Sequence, residues 1–407
     1  MRVVMTTYDS RGGVEPLAAL AVRLQEAGAE AVVCAPPDCE ERLAELGVPL
    51  VALGGPVRAL VHGPQRPRVA SIPEIAATLI AEQFDKLAAA ADGCDVLLTS
   101  GVMSAVAGAR SVAELLGIRS IFVSYCPIFL PSPHHPPQPL PGRPFPPGET
   151  DRRVLDDLEV ESYNALFGEA LNTSRTAAGL PPVDDVRAHI LGGRLWLAAD
   201  PVLGPWRTPA DLDVVQTGAW SLPDQRALPT DLEGFLDAGS PPVYVGFGSM
   251  RAPEDFARIA IEAVRAQGRR RAVVGHGWAD LAPIDYRDDC FVVGEVNQQA
   301  LFTRVAAVIH HGGAGTTTTA ARAGAPQVVV PQIGDQPYWA GRVAALGIGA
   351  AHDGPSPTVA SLSSALRTAL APDTRAQATA VAGTIRTDGA EVAASLLLDL
   401  AGWVSRP

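Results

Sequence analysis

An apolar run ends at His310 and His311, glycines follow at Gly312, Gly313 and Gly315, and four threonines begin at Thr316. A strand that leaves through glycine lets the backbone approach a phosphate closely, and a helix opening just after it presents unpaired N–H groups and the positive end of its dipole. The stretch reads as an anion site. Four threonines are a poor helix start, because β-branched side chains lose χ1 freedom there. Hydroxyls that reach oxyanions would account for them, with Thr316 and Thr317 first in line. Beyond a second apolar run, Gln327 to Pro331, stand Asp335 and Gln336. The interval suits one helix and one strand, which returns the pair to the same carboxyl-end rim of a parallel sheet as His310. A carboxylate can accept two hydrogen bonds from vicinal hydroxyls. The rim is therefore expected to grip phosphate first and something polyhydroxylated second.

Two similar halves are expected to carry these residues. Arg2 to Thr7 and Ala31 to Ala35 read as strands around an amphipathic helix bearing Leu17, Leu20, Ala21 and Leu24. Further strands are expected at Val48 to Leu53, Asp95 to Thr99 and Ser120 to Ser124, with helices at Ile72 to Ala91 and Ser104 to Leu116. Alternation of this kind gives a parallel sheet covered on both faces. It restarts at Pro242 with VYVGFGS, AVVGHG and CFVVGEV. The irregular, proline-bearing stretch between Asp200 and Thr230 is the expected linker. Pro127 to Pro147 holds ten prolines and the pair His134 and His135, so it can be neither helix nor central strand. It reads either as a surface loop, partly disordered, or as a loop over the binding cleft.

At 407 residues the chain is long enough for two or three domains with separate cores. Its net charge of −12 argues against a nucleic-acid groove and an anionic membrane surface, while a local positive site for a diphosphate remains compatible. No signal sequence and no apolar run of membrane-spanning length is evident, which predicts a cytoplasmic protein. Five scattered cysteines without a C-x-x-C pair read as buried or idle thiols, not as a disulfide framework or a zinc site. Asp211-Leu212-Asp213 has the form of a D-x-D metal motif but falls in the irregular stretch, and no metal is expected.

HHGGAGT followed by PQIGDQP resembles the nucleotide-sugar signature of family-1 glycosyltransferases with the GT-B fold. APPDCEERLAELGVP, GLPPV, LAADPVL and VQTGAW extend the resemblance to the vancomycin- and teicoplanin-type glycopeptide glycosyltransferases over nearly the full length. The resemblance implies an α/β protein with two Rossmann-like doubly wound domains facing across a cleft. It implies an acceptor domain over 1–205, a linker over 206–230, a donor domain over 231–388 and a last helix over 389–407 that crosses back to the first domain. It further implies a monomer that takes a UDP- or dTDP-sugar and a glycopeptide aglycone and needs no cofactor. Asp335-Gln336 with Pro331-Gln332 is similar to members that use hexose donors such as UDP-glucose or UDP-N-acetylglucosamine.

Residue by residue, the resemblance assigns His310, with His311 beside it, Gly313, Gly315, Thr316 and Thr317 to the donor phosphates. Ser249 in GFGS is a second phosphate ligand, Trp278 and Val296 line the base pocket, and Asp335 and Gln336 bind the sugar. Similar enzymes often carry Arg-Gly-Trp where this chain has His276-Gly277-Trp278, so the arginine contact is in question. Similar enzymes also show S-R-G-D after the first strand, the aspartate being the general base; here the run is Ser10-Arg11-Gly12-Gly13. Glycine accepts no proton. Asp9 is the expected substitute, with His134 or His135 as further candidates, and Ser10, Gly13, Tyr125, His134 and His135 are placed at the acceptor. The expected reaction is inverting, metal-independent transfer of a hexose to an aglycone hydroxyl. The alternatives are a binding homologue that lost its chemistry through Gly13, or a nucleotide-sugar epimerase of the same fold.

Overall fold

The computed structural model describes every residue except 64–70, 209–211, 269, 286, 401 and 403–407. The chain divides into two compact α/β units: Met1–Ala199 with Pro205–Ser221 and Thr387–Pro407, and Asp200–Gly204 with Leu222–Arg386. In the first, strands β1 (Arg2–Tyr8), β2 (Glu30–Ala35), β3 (Leu50–Ala52), β4 (Val96–Gly101), β5 (Arg119–Ser124), β6 (Arg194–Leu197) and β7 (Val214–Gln216) lie in the order β3-β2-β1-β4-β5-β6-β7. Every pairing is parallel. In the second, β8 (Val243–Gly246), β9 (Ala272–Gly275), β10 (Cys290–Val293), β11 (Ala307–His310), β12 (Gln327–Val329) and β13 (Gly349–Ala351) lie in the order β10-β9-β8-β11-β12-β13, again all parallel.

Both sheets reverse strand order once, between β1 and β4 and between β8 and β11. Ligands of open α/β sheets bind beyond the carboxyl ends of the strands at such a reversal. The residues after β1, β8 and β11 are therefore those to read for function.

Alternation along β8 shows why the second sheet is covered on both faces. Val243 and Val245 join a core with Phe256, Ile261, Ile309 and Leu366, while Tyr244 points the other way into a core with Leu232, Val273, Phe302 and Val308. Gly246 and Gly275 end their strands without side chains because a Cβ would stand 2.5 and 2.3 Å from the Tyr244 hydroxyl oxygen.

The stretch between the two sheets differs from the sequence expectation. Val214–Gln216, inside the stretch read as linker, pairs with β6 as the sheet's edge strand; three residues between prolines are too few to show a strand period. Asp200 of LAADPVL is buried and accepts the N–H groups of Val202, Leu203 and Arg386. Arg342 donates to the carbonyls of Val202 and Leu203, which holds Asp200–Gly204 in the second unit. The C-terminal helix Gly389–Leu400 packs on the helix Arg11–Glu26 of the first unit, with Arg23 paired to Glu391 at 2.8 Å. Trp403, named with this tail, lies outside the described residues.

The proline-rich segment is tied down by the helix Arg152–Tyr163. Arg152 donates to the carbonyls of Ser132 and His135, and Arg143 donates to Ser162 at 3.1 Å. Cys34, Cys39, Cys94 and Cys126 are buried free thiols, and burial pushes Cys34 up to about 12. Among the described residues no helix is long and apolar enough to cross a membrane.

Candidate functional site

In the second unit, β11 delivers His310 and His311 to the order reversal, but the two rings do different things. His310 is fully buried. Its Nε2–H donates to Gln327 Oε1 at 2.9 Å, and its Nδ1 accepts the Gly312 N–H at 3.1 Å. Both ring nitrogens are thus engaged and the tautomer is fixed. Desolvation holds the ring neutral, with its pKa lowered to about 4. The expectation that His310 touches phosphate does not fit this geometry; His310 braces the turn.

His311 is placed differently. Its Nδ1 is buried without a hydrogen-bond partner, and its Nε2 lies 2.7 Å from where a Cβ on Gly313 would stand. Burial lowers its pKa to about 3, with His310 adding to the effect. On the other side its Cε1 lies 3.4 Å from the Cβ position of Gly248. The β8 exit, with half-exposed Ser249, therefore abuts the β11 exit at His311.

Gly312 takes φ +95°, and a Cβ there would stand 2.7 Å from Val329 Cγ1 and 3.2 Å from the Gln336 carbonyl oxygen. Only glycine allows this approach. Gly313 then opens the helix Ala314–Arg322, and Gly315 in its first turn is exposed with open space around its Cα. The threonines divide as well. Thr317 and Thr318 donate to the carbonyls four residues back, Gly313 at 3.0 Å and Ala314 at 2.8 Å, as buried helical hydroxyls commonly do. The Thr317 hydroxyl proton is thus committed to its own helix, which does not fit the expectation that it donates to phosphate, whereas Thr316 is half-exposed.

The Gly312 contact with Gln336 brings the second rim loop against the first. Asp335 Oδ2 accepts from Trp339 Nε1 at 2.7 Å. Desolvation raises the Asp335 pKa, opposed by that bond. Gln336 is buried, and its Oε1 accepts the N–H groups of Gln332 and Ile333 at 2.8 and 3.2 Å. Its carboxamide oxygen shapes the loop, so only its N–H groups are left to serve a hydroxyl.

The base-pocket pair is less alike than expected. The Trp278 N–H donates to the Gly248 carbonyl at 2.9 Å, fastening the β9 exit to the β8 exit. Val296 packs on the Tyr244 face of the core. His276, at the position of the family arginine, faces the Leu281 carbonyl and Asp280.

In the first unit, β1 ends at Tyr8 and the helix Arg11–Glu26 begins three residues later. Between them Asp9 Oδ1 accepts the Ser10 N–H at 2.6 Å. The rest of the carboxylate folds over Gly13: a Cβ at position 13 would meet Asp9 Cβ at 2.5 Å and Oδ2 at 2.7 Å. Asp9 thus occupies the space a residue-13 side chain would take. Tyr125, just past β5, donates its hydroxyl to the Gly13 carbonyl at 3.1 Å.

His134 is exposed, whereas His135 turns inward. His135 Nε2 is buried without a partner beside a cavity of about 10 Å³ that Glu159, Tyr163 and Arg187 also line. That volume holds one water at most. His135 is therefore corrected from acceptor base to a group beneath its own loop. Sequence reasoning did not single out Thr7 and Ser100, buried hydroxyls paired across β1 and β4 with Ser100 beside Tyr125; polar residues at the carboxyl ends of apolar parallel strands were the available signal. Among the described residues no three His, Cys, Asp or Glu side chains group as metal ligands; Asp211 lies outside them.

Comparison with known proteins places this geometry. Residues 285–396 match the family described as Erythromycin biosynthesis protein CIII-like, C-terminal domain. The solved structure of the glycotransferase of kitacinnamycin superposes with a TM-score of 0.74 over 98% of both chains at 21% identity, which shows the GT-B fold. Within that fold class the sequence likeness is closer still. Glycosyltransferase GtfE of Amycolatopsis orientalis is 57% identical over 99% of this chain and 98% of its own. The Vancomycin aglycone glucosyltransferase of the same organism is 55% identical over 98% and 97%. The chain belongs to the family-1 glycosyltransferases, among the vancomycin-type glycopeptide enzymes.

Proposed function

We propose that the protein is an inverting hexosyltransferase that needs no metal ion and moves a sugar from a nucleotide diphosphate to a hydroxyl of a glycopeptide aglycone. The observation that carries the donor half is the Gly312–Gly313 turn, which joins His311 and the helix start on one side to Asp335 and Gln336 on the other. Helix N–H groups, His311 and Thr316 receive the diphosphate, whose charge grows as the bond to the anomeric carbon breaks. Asp335 and the Gln336 amide orient the sugar hydroxyls.

On the acceptor side, Asp9 takes the hydroxyl proton while the oxygen attacks the anomeric carbon. The electron pair of the breaking glycosyl C–O bond leaves on the nucleotide diphosphate. A base of this kind contributes about 10²–10⁴-fold. The packing of the Asp9 carboxylate over Gly13 supports this reading over a binding homologue without a base.

The test incubates the protein with vancomycin aglycone and UDP-glucose, UDP-N-acetylglucosamine or dTDP-glucose, with and without a chelator. Mass spectrometry should find a hexose-sized increment that the chelator leaves unchanged, and NMR should find a β-linked product from the α-linked donor. No increment with any donor, or conversion of the donor without acceptor, would overturn the proposal.

A further inference from the structure

The carboxyl ends of β1, β4 and β5 gather hydroxyls that the transfer reaction as described leaves unused. Thr7 and Ser100 are register partners across β1 and β4, and both are buried. Thr7 Oγ1 has no hydrogen-bond partner and lies 2.6 Å from where a Cβ on Gly101 would stand, Gly101 having φ +94°. Polar groups left this close to a sheet edge are costly unless they serve something.

Tyr125 joins this cluster to the base. Its hydroxyl donates to the Gly13 carbonyl. Ser100 and Asp9 both lie close enough to act on it, and desolvation, then Asp9, raise its pKa, so it stays a donor. Its ring is held edge-on by Trp220 with centroids 6.4 Å apart. Trp220 in turn meets Trp196 edge-on at 6.3 Å and donates its Nε1–H to Thr217 at 2.9 Å. A ring braced this way holds the first turn of the Arg11–Glu26 helix from one side. The same turn carries Gly13, where the Asp9 carboxylate fills the space a Cβ would take, with Oδ2 2.7 Å from that position.

We propose that Tyr125 is a positioning residue for glycosyl transfer: through the Gly13 carbonyl it fixes the helix turn against which the Asp9 carboxylate is folded. This rests on the reading of Asp9 as the base. Tyr125 acts on the rate through Asp9 and not through an acceptor contact, and Ser100 supports it.

A double-mutant cycle tests this, using UDP-glucose and vancomycin aglycone as probes and comparing the native chain with Tyr125→Phe, Asp9→Asn and the double variant. Tyr125→Phe should lower kcat about tenfold, a fraction of what a 1 Å misplacement can cost, with both KM values within about twofold. In the Asp9→Asn background the same change should do nothing further. The acid limb of the kcat profile should survive in Tyr125→Phe and vanish in Asp9→Asn. Equal losses in both backgrounds, or a raised acceptor KM, would overturn the positioning role while leaving the base in place. Full activity of Asp9→Asn would instead remove the base assignment, and the positioning role with it. Should Tyr125→Phe fail to fold, Ser100→Ala is put through the same cycle, with a smaller loss expected that is again absent without Asp9.

Discussion

Replacing Gly13 with alanine is the sharpest perturbation of the proposed base, because stability and activity should move apart. Gly13 sits inside a helix, where alanine is ordinarily preferred by about 0.5–1 kcal/mol. The new Cβ, however, would stand 2.5 Å from Asp9 Cβ and 2.7 Å from Oδ2. Ordinary carbon contacts need roughly 3.5–4 Å, so the Asp9 side chain must retreat by about 1 Å or leave its rotamer. Rotating this half-buried carboxylate off its rotamer costs on the order of 1 kcal/mol, which leaves net stability within about 1 kcal/mol of the native chain. A displacement of about 1 Å at a reacting group costs on the order of 10²-fold in rate, equivalent to about 2.7 kcal/mol of barrier. Steady-state transfer to vancomycin aglycone and a thermal melt give both quantities. The expected result is a kcat near one hundredth of native with donor KM unchanged and the melting temperature within a few degrees. Gly13→Asp should be at least as slow, since a second carboxylate would be forced onto the first. Undiminished transfer by Gly13→Ala, or faster transfer by Gly13→Asp, would show that Asp9 is not the base, and transfer gained by Gly13→Asp over a native chain that binds donor without turnover would favour the binding homologue that lost its chemistry.

Two further outcomes separate the donor residues. His311→Ala should raise donor KM about tenfold with little loss of stability, whereas His310→Ala should strand Gln327 and the Gly312 N–H and cost about 1–3 kcal/mol for each orphaned group. Because the folded pKa of His310 is lowered, the unfolded chain binds its proton first as pH falls below about 6.5. Native stability should therefore decline by about 1.4 kcal/mol per pH unit from this ring between 6.5 and about 4, and denaturant melts of His310→Ala should lack that share. Asp335→Asn should weaken transfer from UDP-glucose without destabilising the chain, since the Trp339 bond survives and a desolvated charge is removed. The raised folded pKa of Asp335 gives the native chain a stability contribution present in acid and lost as pH rises through it. Any stability advantage of Asp335→Asn should thus be largest at neutral pH and fade on acidification, while native kcat/KM for the donor falls as Asp335 is protonated.

Much of this protein was determined by local pattern. Apolar runs alternating with amphipathic segments admit little but parallel sheets covered on both faces, and the glycine exit after β11 and the Asp335-Gln336 pair after β12 fix which ends of those strands matter. Their convergence follows from spacing alone, because a strand-helix-strand unit returns to the same edge. Which atom does what was decided only by tertiary packing. His310 and His311 are adjacent and identical in sequence, and only the position of Gln327 on β12 makes one a brace and leaves the other facing Gly248. Thr317 looked like a ligand until its hydroxyl found the Gly313 carbonyl, a choice that depends on where the helix begins. The proline-rich segment read either as a surface loop or as a loop over the cleft, and its anchors were not legible because Arg152 and Ser162 come from a later helix. At Gly13 the sequence recorded only a missing carboxylate, whereas the turn from β1 into its helix brings Asp9 back across that position, since an open site beside a helix start favours the nearest anionic side chain that can reach it.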